Sequence, residues 1–216
     1  MLSRLTKDIT RLRQGFISVS LGIMSEIFVF LAALGYALFQ TPTGMLADRL
    51  GPRRVLTAVV TLWSLFTGLT ATAANFTSLL VIRFLFGAGE AGGFPGIARA
   101  TFSWIPMAER GTVQGINFSG GRLGAAFALP AVAWMVERFG WRQTFFILMA
   151  IGFVWATAWY RWFRDDPTQH PGIRPGELEM ILKERQRTSG NPAERGQSLG
   201  KMLLGSRNLW LAMAQY

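Results

Sequence analysis

Gly44-Met45-Leu46-Ala47-Asp48-Arg49-Leu50-Gly51-Pro52-Arg53-Arg54 is a short charged turn between two long apolar runs, and its residue types suit that place. Gly44 lets neighbouring helices approach closely. Asp48 is expected to cap, or to face, the positive N-terminal end of the helix that follows. Gly51-Pro52 turns the chain, and Arg49, Arg53 and Arg54 favour the cytoplasmic side of a membrane. The plainer reading of the stretch is an ordinary basic turn.

Outward from this turn the chain is a succession of apolar runs. An α-helix needs roughly 20 mostly apolar residues to cross about 30 Å of hydrocarbon, and runs of that kind are expected at 27–46, 55–74, 79–102, 112–136 and 144–162. Half of the 216 residues are hydrophobic and only 16% are charged, against about a quarter in a soluble domain. The expectation is an all-α, polytopic membrane helix bundle of about five full spans. Segment 16–24 is apolar but too short to cross alone, so 1–26 is read as a basic N-terminus with the remnant of a first helix. Segment 163–207 is polar and reads as a cytoplasmic linker, with helical spacing around Leu178, Ile181 and Leu182. Segment 208–216 reads as the opening of a seventh, truncated helix.

The net charge of +10 raises nucleic-acid binding, but the basic residues sit between the apolar runs. That placement is a membrane topology signal rather than a binding face. Alternation puts 48–54, 106–111 and the segment after Trp162 in the cytoplasm, with Trp155, Trp159, Tyr160 and Trp162 as an aromatic belt at that side. A single span before Gly44 then leaves Arg4, Lys7, Arg11 and Arg13 outside, against the positive-inside bias. This parity defect implies that most of one helix is missing ahead of Glu26, and both ends read as incomplete. There is no cysteine, and His170 is the single histidine, so no metal site is expected. No nucleophile with a base and no phosphate-binding glycine loop stands out, so an enzyme is not expected and no cofactor is implied.

The charged turn resembles the signature loop of the major facilitator superfamily, G-x-L-A-D-R-x-G-x-R-R, which lies between that family's second and third helices. Tyr36-Ala37-Leu38-Phe39-Gln40, Arg83-Phe84-Leu85-Phe86-Gly87 with Glu90, and Asp166-Pro167 with His170-Pro171 are similar to its anion:cation symporter family. That family includes bacterial sugar-acid carriers and vesicular organic-anion transporters. The resemblance runs from about Ile27 to Tyr216 and covers the N-terminal half of the fold. It implies proton-coupled symport of a small organic anion in a bacterial inner membrane, with Gly44, Asp48, Arg49, Gly51, Arg53 and Arg54 as a gating loop. It also implies that the C-terminal half of the carrier is required. One departure is that Leu12 stands where the family's first helix carries an aspartate.

The residues inside the spans can be weighed physically. Arg83 and Glu90 are seven apart on one helix, hence on one face and about 10 Å apart along the axis. Neither can face lipid cheaply, and such residues mark a substrate or proton path. A structural ion pair is the plainer alternative. The resemblance assigns Arg83 to substrate binding or gating and Glu90 to proton coupling. A carboxyl withdrawn from water favours its neutral form, which suits that role, and a nearby arginine opposes it. Tyr36 and Gln40 lie one turn apart and can offer a hydroxyl and an amide to one ligand; a helix-to-helix hydrogen bond is the alternative for Tyr36. Asn117 and Arg122 lie in the fifth span, where the arginine fork suits a carboxylate, unless it faces the absent half. The competing reading of the whole chain is a truncated, non-transporting membrane fragment or scaffold.

Overall fold

The computed structural model describes the backbone of residues 2–189 and the side chains of residues 13–183. The chain divides into two compact units, 1–172 and 173–216. The first holds six helices: α1 (Leu2–Leu50), α2 (Pro52–Thr70), α3 (Phe76–Glu90), α4 (Gly93–Trp104), α5 (Arg110–Phe139) and α6 (Trp141–Trp162), followed by a 3-10 turn at Pro167–Gln169. In the second, α7 (Pro175–Ser189) carries a Glu179–Lys183 ion pair at 2.8 Å along its surface. The expected start of a further helix at 208–216, and the linker beyond Ser189, lie outside the described residues.

The turns between the helices are made by local chemistry. Gly51, at φ 82°, ends α1, and Pro52 opens α2 with a φ already helical and no N–H to leave unsatisfied. Asn75 caps α3 in a reciprocal box: its side chain accepts from Ser78 N at 2.8 Å, and its own N–H donates to Ser78 Oγ at 3.2 Å. Gly140, at φ 83°, is the whole connection between α5 and α6.

Two features differ from the sequence expectation. The division between a remnant at 16–24 and a span from 27 is absent from the backbone, because α1 is continuous from Leu2 to Leu50. Nothing between the two segments breaks a helix: Gly15 and Gly22 only weaken it, and the proline inside α1 is Pro42, well beyond them. The single span expected at 79–102 is instead two helices, parted at Ala91 and Gly92. Pro95 supplies the reason, since it cannot donate to the Ala91 carbonyl and its ring crowds that oxygen. Among the described residues, Arg13–Leu50 and Trp141–Trp162 are long and apolar enough to cross a membrane as uninterrupted helices. The parting after Glu90 leaves α3 and α4 individually too short for that.

Packing between α1 and α3 is backbone to backbone. A Cβ on Gly87 would overlap the Ala32 carbonyl, and one on Gly35 would overlap the Phe84 carbonyl, so α1 and α3 cross with almost nothing between them. On the other side of the bundle, a Cβ on Gly68 would overlap Met149, and one on Gly152 would overlap Ser64 Oγ, which seats α6 on α2. Ala47, Val55 and Val59 form a small buried core, with Trp63 packed against it. By contrast, α5 has no buried residue, and its glycines 111, 115, 120, 121 and 124 have open space where a Cβ would stand.

Gly87→Val should therefore destabilise the chain by about 1–3 kcal/mol, the usual cost of an overpacked contact. Gly120→Ala should leave stability unchanged or raise it by up to about 1 kcal/mol through helix propensity. Thermal unfolding of both variants in detergent, followed by circular dichroism, checks the contrast.

Candidate functional site

The charged turn is held from two sides. Asp165, just past the end of α6, reaches back under Gly51, where any Cβ would overlap its carboxylate. Asp165 Oδ1 accepts a hydrogen bond from the Arg53 N–H at 2.7 Å. A helix N-terminus carries unsatisfied N–H groups and a partial positive charge, so this carboxylate caps α2 from 112 positions away. Asp48 had been expected in that role. It instead lies in the last turn of α1 and pairs with Arg99 of α4 at 3.3 Å; the N-cap position belongs to Gly51, which has no side chain to offer. Arg53 completes the first contact: its guanidinium lies 4.2 Å from the centre of the Tyr160 ring, and its Nε donates to the Tyr160 carbonyl at 2.8 Å. Arg49 and Arg54 are exposed.

The Asp48–Arg99 pair is the weaker of the two fastenings. Its side chains are 72% and 36% exposed, and ion pairs so open to water contribute about 0.2–1 kcal/mol. A Cβ on Gly44 would stand at van der Waals distance, 3.5 Å, from Pro95 of α4. The six residues of the expected gating loop thus meet α4 through Gly44 and Asp48 and the end of α6 through Gly51 and Arg53.

Deeper in the bundle, Tyr36 stands beside the Gly35 contact on α1, and Glu90 ends α3 three residues beyond the Gly87 contact. The crossing brings these two within electrostatic reach of each other. Arg83, on the same helix as Glu90, is half-buried and lies 6.0 Å from the Phe86 ring centre. Arg83 and Glu90 form no ion pair with each other; the pairs among the described residues are Asp48–Arg99 and Glu179–Lys183. Gln40, one turn beyond Tyr36, is exposed.

The fifth helix stands apart from this group. Asn117 and Arg122 are both exposed on α5, and Asn117 Nδ2 donates to Gln114 Oε1 at 3.2 Å. Asn117 lines a different space, a cavity of about 1040 Å³ between α2, α4, α5 and α6. Its walls include Trp63, Trp104, Trp155 and Trp159, and it is lined by no arginine, lysine or carboxylate, with His170 the titratable side chain at its wall. A carboxylate placed there would be desolvated without an arginine or lysine to meet it, so this cavity, though large, is poorer for an anion than the region of Arg83. Tyr36, Gln40, Arg83, Glu90 and Arg122 are all outside it.

The model of the Major Facilitator Superfamily matches residues 12–216. The chain belongs to that superfamily. It is 37% identical over 171 residues to a protein of Cupriavidus necator named as a probable sulfoacetate transporter, covering 79% of this chain and 39% of that protein. It is 36% identical over 164 residues to a hexuronate transporter of Bacillus subtilis, covering 71% of this chain and 39% of the other. A probable galactarate/D-glucarate transporter of Escherichia coli is 33% identical over 185 residues, 83% of this chain and 39% of that one. The chain spans about two fifths of the length of these relatives. Membership makes it a membrane protein with the all-α helix bundle of the superfamily.

Three residues of the clasp were absent from the sequence-derived set: Arg99, Tyr160 and Asp165. Tyr160 was visible only as a belt aromatic, and Arg99 and Asp165 carried no signal of their own, because their roles depend on which helix ends meet. Asp165→Ala should cost about 1 kcal/mol through the lost cap, within a range of about 0.5–2, whereas Asp48→Ala should cost less than about 1 kcal/mol. Thermal unfolding of the two variants side by side ranks the fastenings, and a larger loss at Asp48 would overturn this order.

Proposed function

We propose that this chain supplies the N-terminal half of a secondary carrier that moves a small organic anion, such as a sugar acid or another carboxylate, by proton-coupled symport across a bacterial inner membrane. The observation that carries the reading is Glu90. It is a half-buried carboxyl at the parting of α3 and α4, next to Tyr36 and on one helix with an Arg83 that it does not neutralise. Ionisable groups placed inside a membrane bundle are costly and mark substrate or ion paths, and interrupted helices border such sites in carriers. Arg83 gives an anion a cation to meet, Tyr36 and Gln40 offer a hydroxyl and an amide, and Glu90 is the group that takes and releases the proton. The relatives' names, which refer to sulfoacetate, hexuronate and galactarate or glucarate, support a small anion as the cargo.

In this reading Asn117 and Arg122 serve only when a second half covers α5. Alternating access needs two halves that rock about a central site, so the C-terminal half of the carrier is the required partner. The second reading, a non-transporting membrane fragment or scaffold, expects no uptake even when the C-terminal half is supplied.

Uptake of labelled glucarate and sulfoacetate into proteoliposomes that hold this chain together with the C-terminal half of the carrier, with and without an inward proton gradient, separates the readings. Gradient-driven uptake that disappears in Glu90→Gln supports symport through this carboxyl. Uptake that survives the substitution removes Glu90 from the mechanism, and no uptake from protein shown to be folded supports the fragment reading.

A further inference from the structure

A second cleft, of about 530 Å³, opens between α2 and α6 on the side away from the tryptophan-lined cavity. Arg53, in the first turn of α2, and Arg161 and Arg164, at the end of α6, line its upper part, and no carboxylate lines it. Much of their hydrogen-bonding capacity remains unused. Arg53 spends its Nε on the Tyr160 carbonyl, and Arg164 spends one terminal nitrogen on the carbonyls of Arg161 and Phe163, at 2.8 and 3.0 Å. Arg161 is exposed. The nearby Asp165 is engaged with the Arg53 N–H.

Below the arginines the cleft is lined by hydroxyls, from Thr57, Thr61 and Thr157. Thr57 and Thr157 donate to carbonyls one turn back, at 2.7 and 2.8 Å, which leaves Thr61 to meet a ligand oxygen. One turn beyond Thr61 on α2 stands Leu65, and about two turns beyond Phe153 on α6 stands Phe146, both exposed apolar side chains. Cations, then a hydroxyl, then hydrocarbon succeed one another over a few helical turns, with the aromatic Tyr160 at the charged level.

We propose that this α2–α6 cleft binds an anionic phospholipid from the leaflet that meets the arginine-rich helix ends, with its phosphate on Arg53, Arg161 and Arg164 and its acyl chains along Leu65 and Phe146. A free inorganic anion would use the guanidinium forks and ignore the apolar floor, whereas a lipid uses both. Basic pockets between helices at a membrane face recognise lipid head groups on these terms. Because Arg53 also stacks on Tyr160, the lipid bridges the two helices that Asp165 holds together. The assignment requires no transport activity.

Native mass spectrometry of the full chain, released from micelles doped with equal amounts of phosphatidylglycerol and phosphatidylcholine of the same acyl chains, tests it. Phosphatidylglycerol should be retained in preference, by about fivefold for each arginine engaged. Arg161→Gln with Arg164→Gln should bring the two lipids to near parity. Arg161→Lys with Arg164→Lys, and Arg138→Gln at the opposite end of the bundle, should keep the preference. Should the double glutamine variant fail to fold, the unmodified chain still decides, because its preference must shrink as salt is raised. Equal retention of the two lipids overturns the proposal, as does a preference untouched by the glutamine pair in folded protein. Displacement of the lipid by glycerophosphoglycerol or inorganic phosphate at matched concentration would show an anion site without a lipid, and would overturn it as well.

Discussion

The bundle depends on how closely its backbones approach one another. In a bilayer the hydrocarbon around a helix is as apolar as a leucine side chain, so there is little hydrophobic gain in bringing two helices together. Contact must come from dispersion over surfaces that fit. Gly35 and Gly87 provide such a surface for α1 and α3, and Gly68 and Gly152 provide another for α2 and α6. The first crossing excludes even a methyl group, because backbone stands in the way, and at the second the glycines seat the side chains of Met149 and Ser64. The position of Tyr36 relative to Glu90 follows from the first, and the meeting of Arg53 with Tyr160 follows from the second.

Charge is sorted by the same geometry. Where the helix ends meet, Asp165 and Asp48 each find a partner, one a backbone N–H and the other a guanidinium. Within the bundle, Arg83 and Glu90 are kept apart although they share a helix. A mutual pair would satisfy both but would leave nothing to answer a ligand. A separated pair costs stability and retains chemical capacity, which is the trade expected of a functional site.

Much of this was legible in the sequence, for identifiable reasons. The Gly51-Pro52 turn was readable because positive φ and a helix-opening proline are properties of the residues themselves. The all-α class followed from run length alone. The continuity of α1 was not readable, because a polar Glu26 interrupts hydropathy without interrupting the backbone. The parting after Glu90 was signalled by Pro95, but the apolar run from 79 to 102 continues through it and reads as one span. The capping role of Asp165 was out of reach, since it depends on the two ends of a chain segment more than a hundred residues long meeting in space. Asn117 shared a span with Arg122, yet the space it borders is the apolar cavity rather than the region of Arg83 and Glu90.

The parting of α3 from α4 has a mechanical meaning. From Gly92 to Arg99 is about 10 Å along the helix axis, so a pivot of about 10° at the parting carries Arg99 sideways by about 2 Å. Asp48 and Arg99 are 3.3 Å apart, and that displacement is enough to unlatch them. The segment from the parting to Arg99 therefore has the proportions of a lever arm that ends at the outer latch of the bundle. Its fulcrum is the place where the helix ladder lacks a donor, so a small rotation there is magnified to the size of a broken salt bridge at the outer latch.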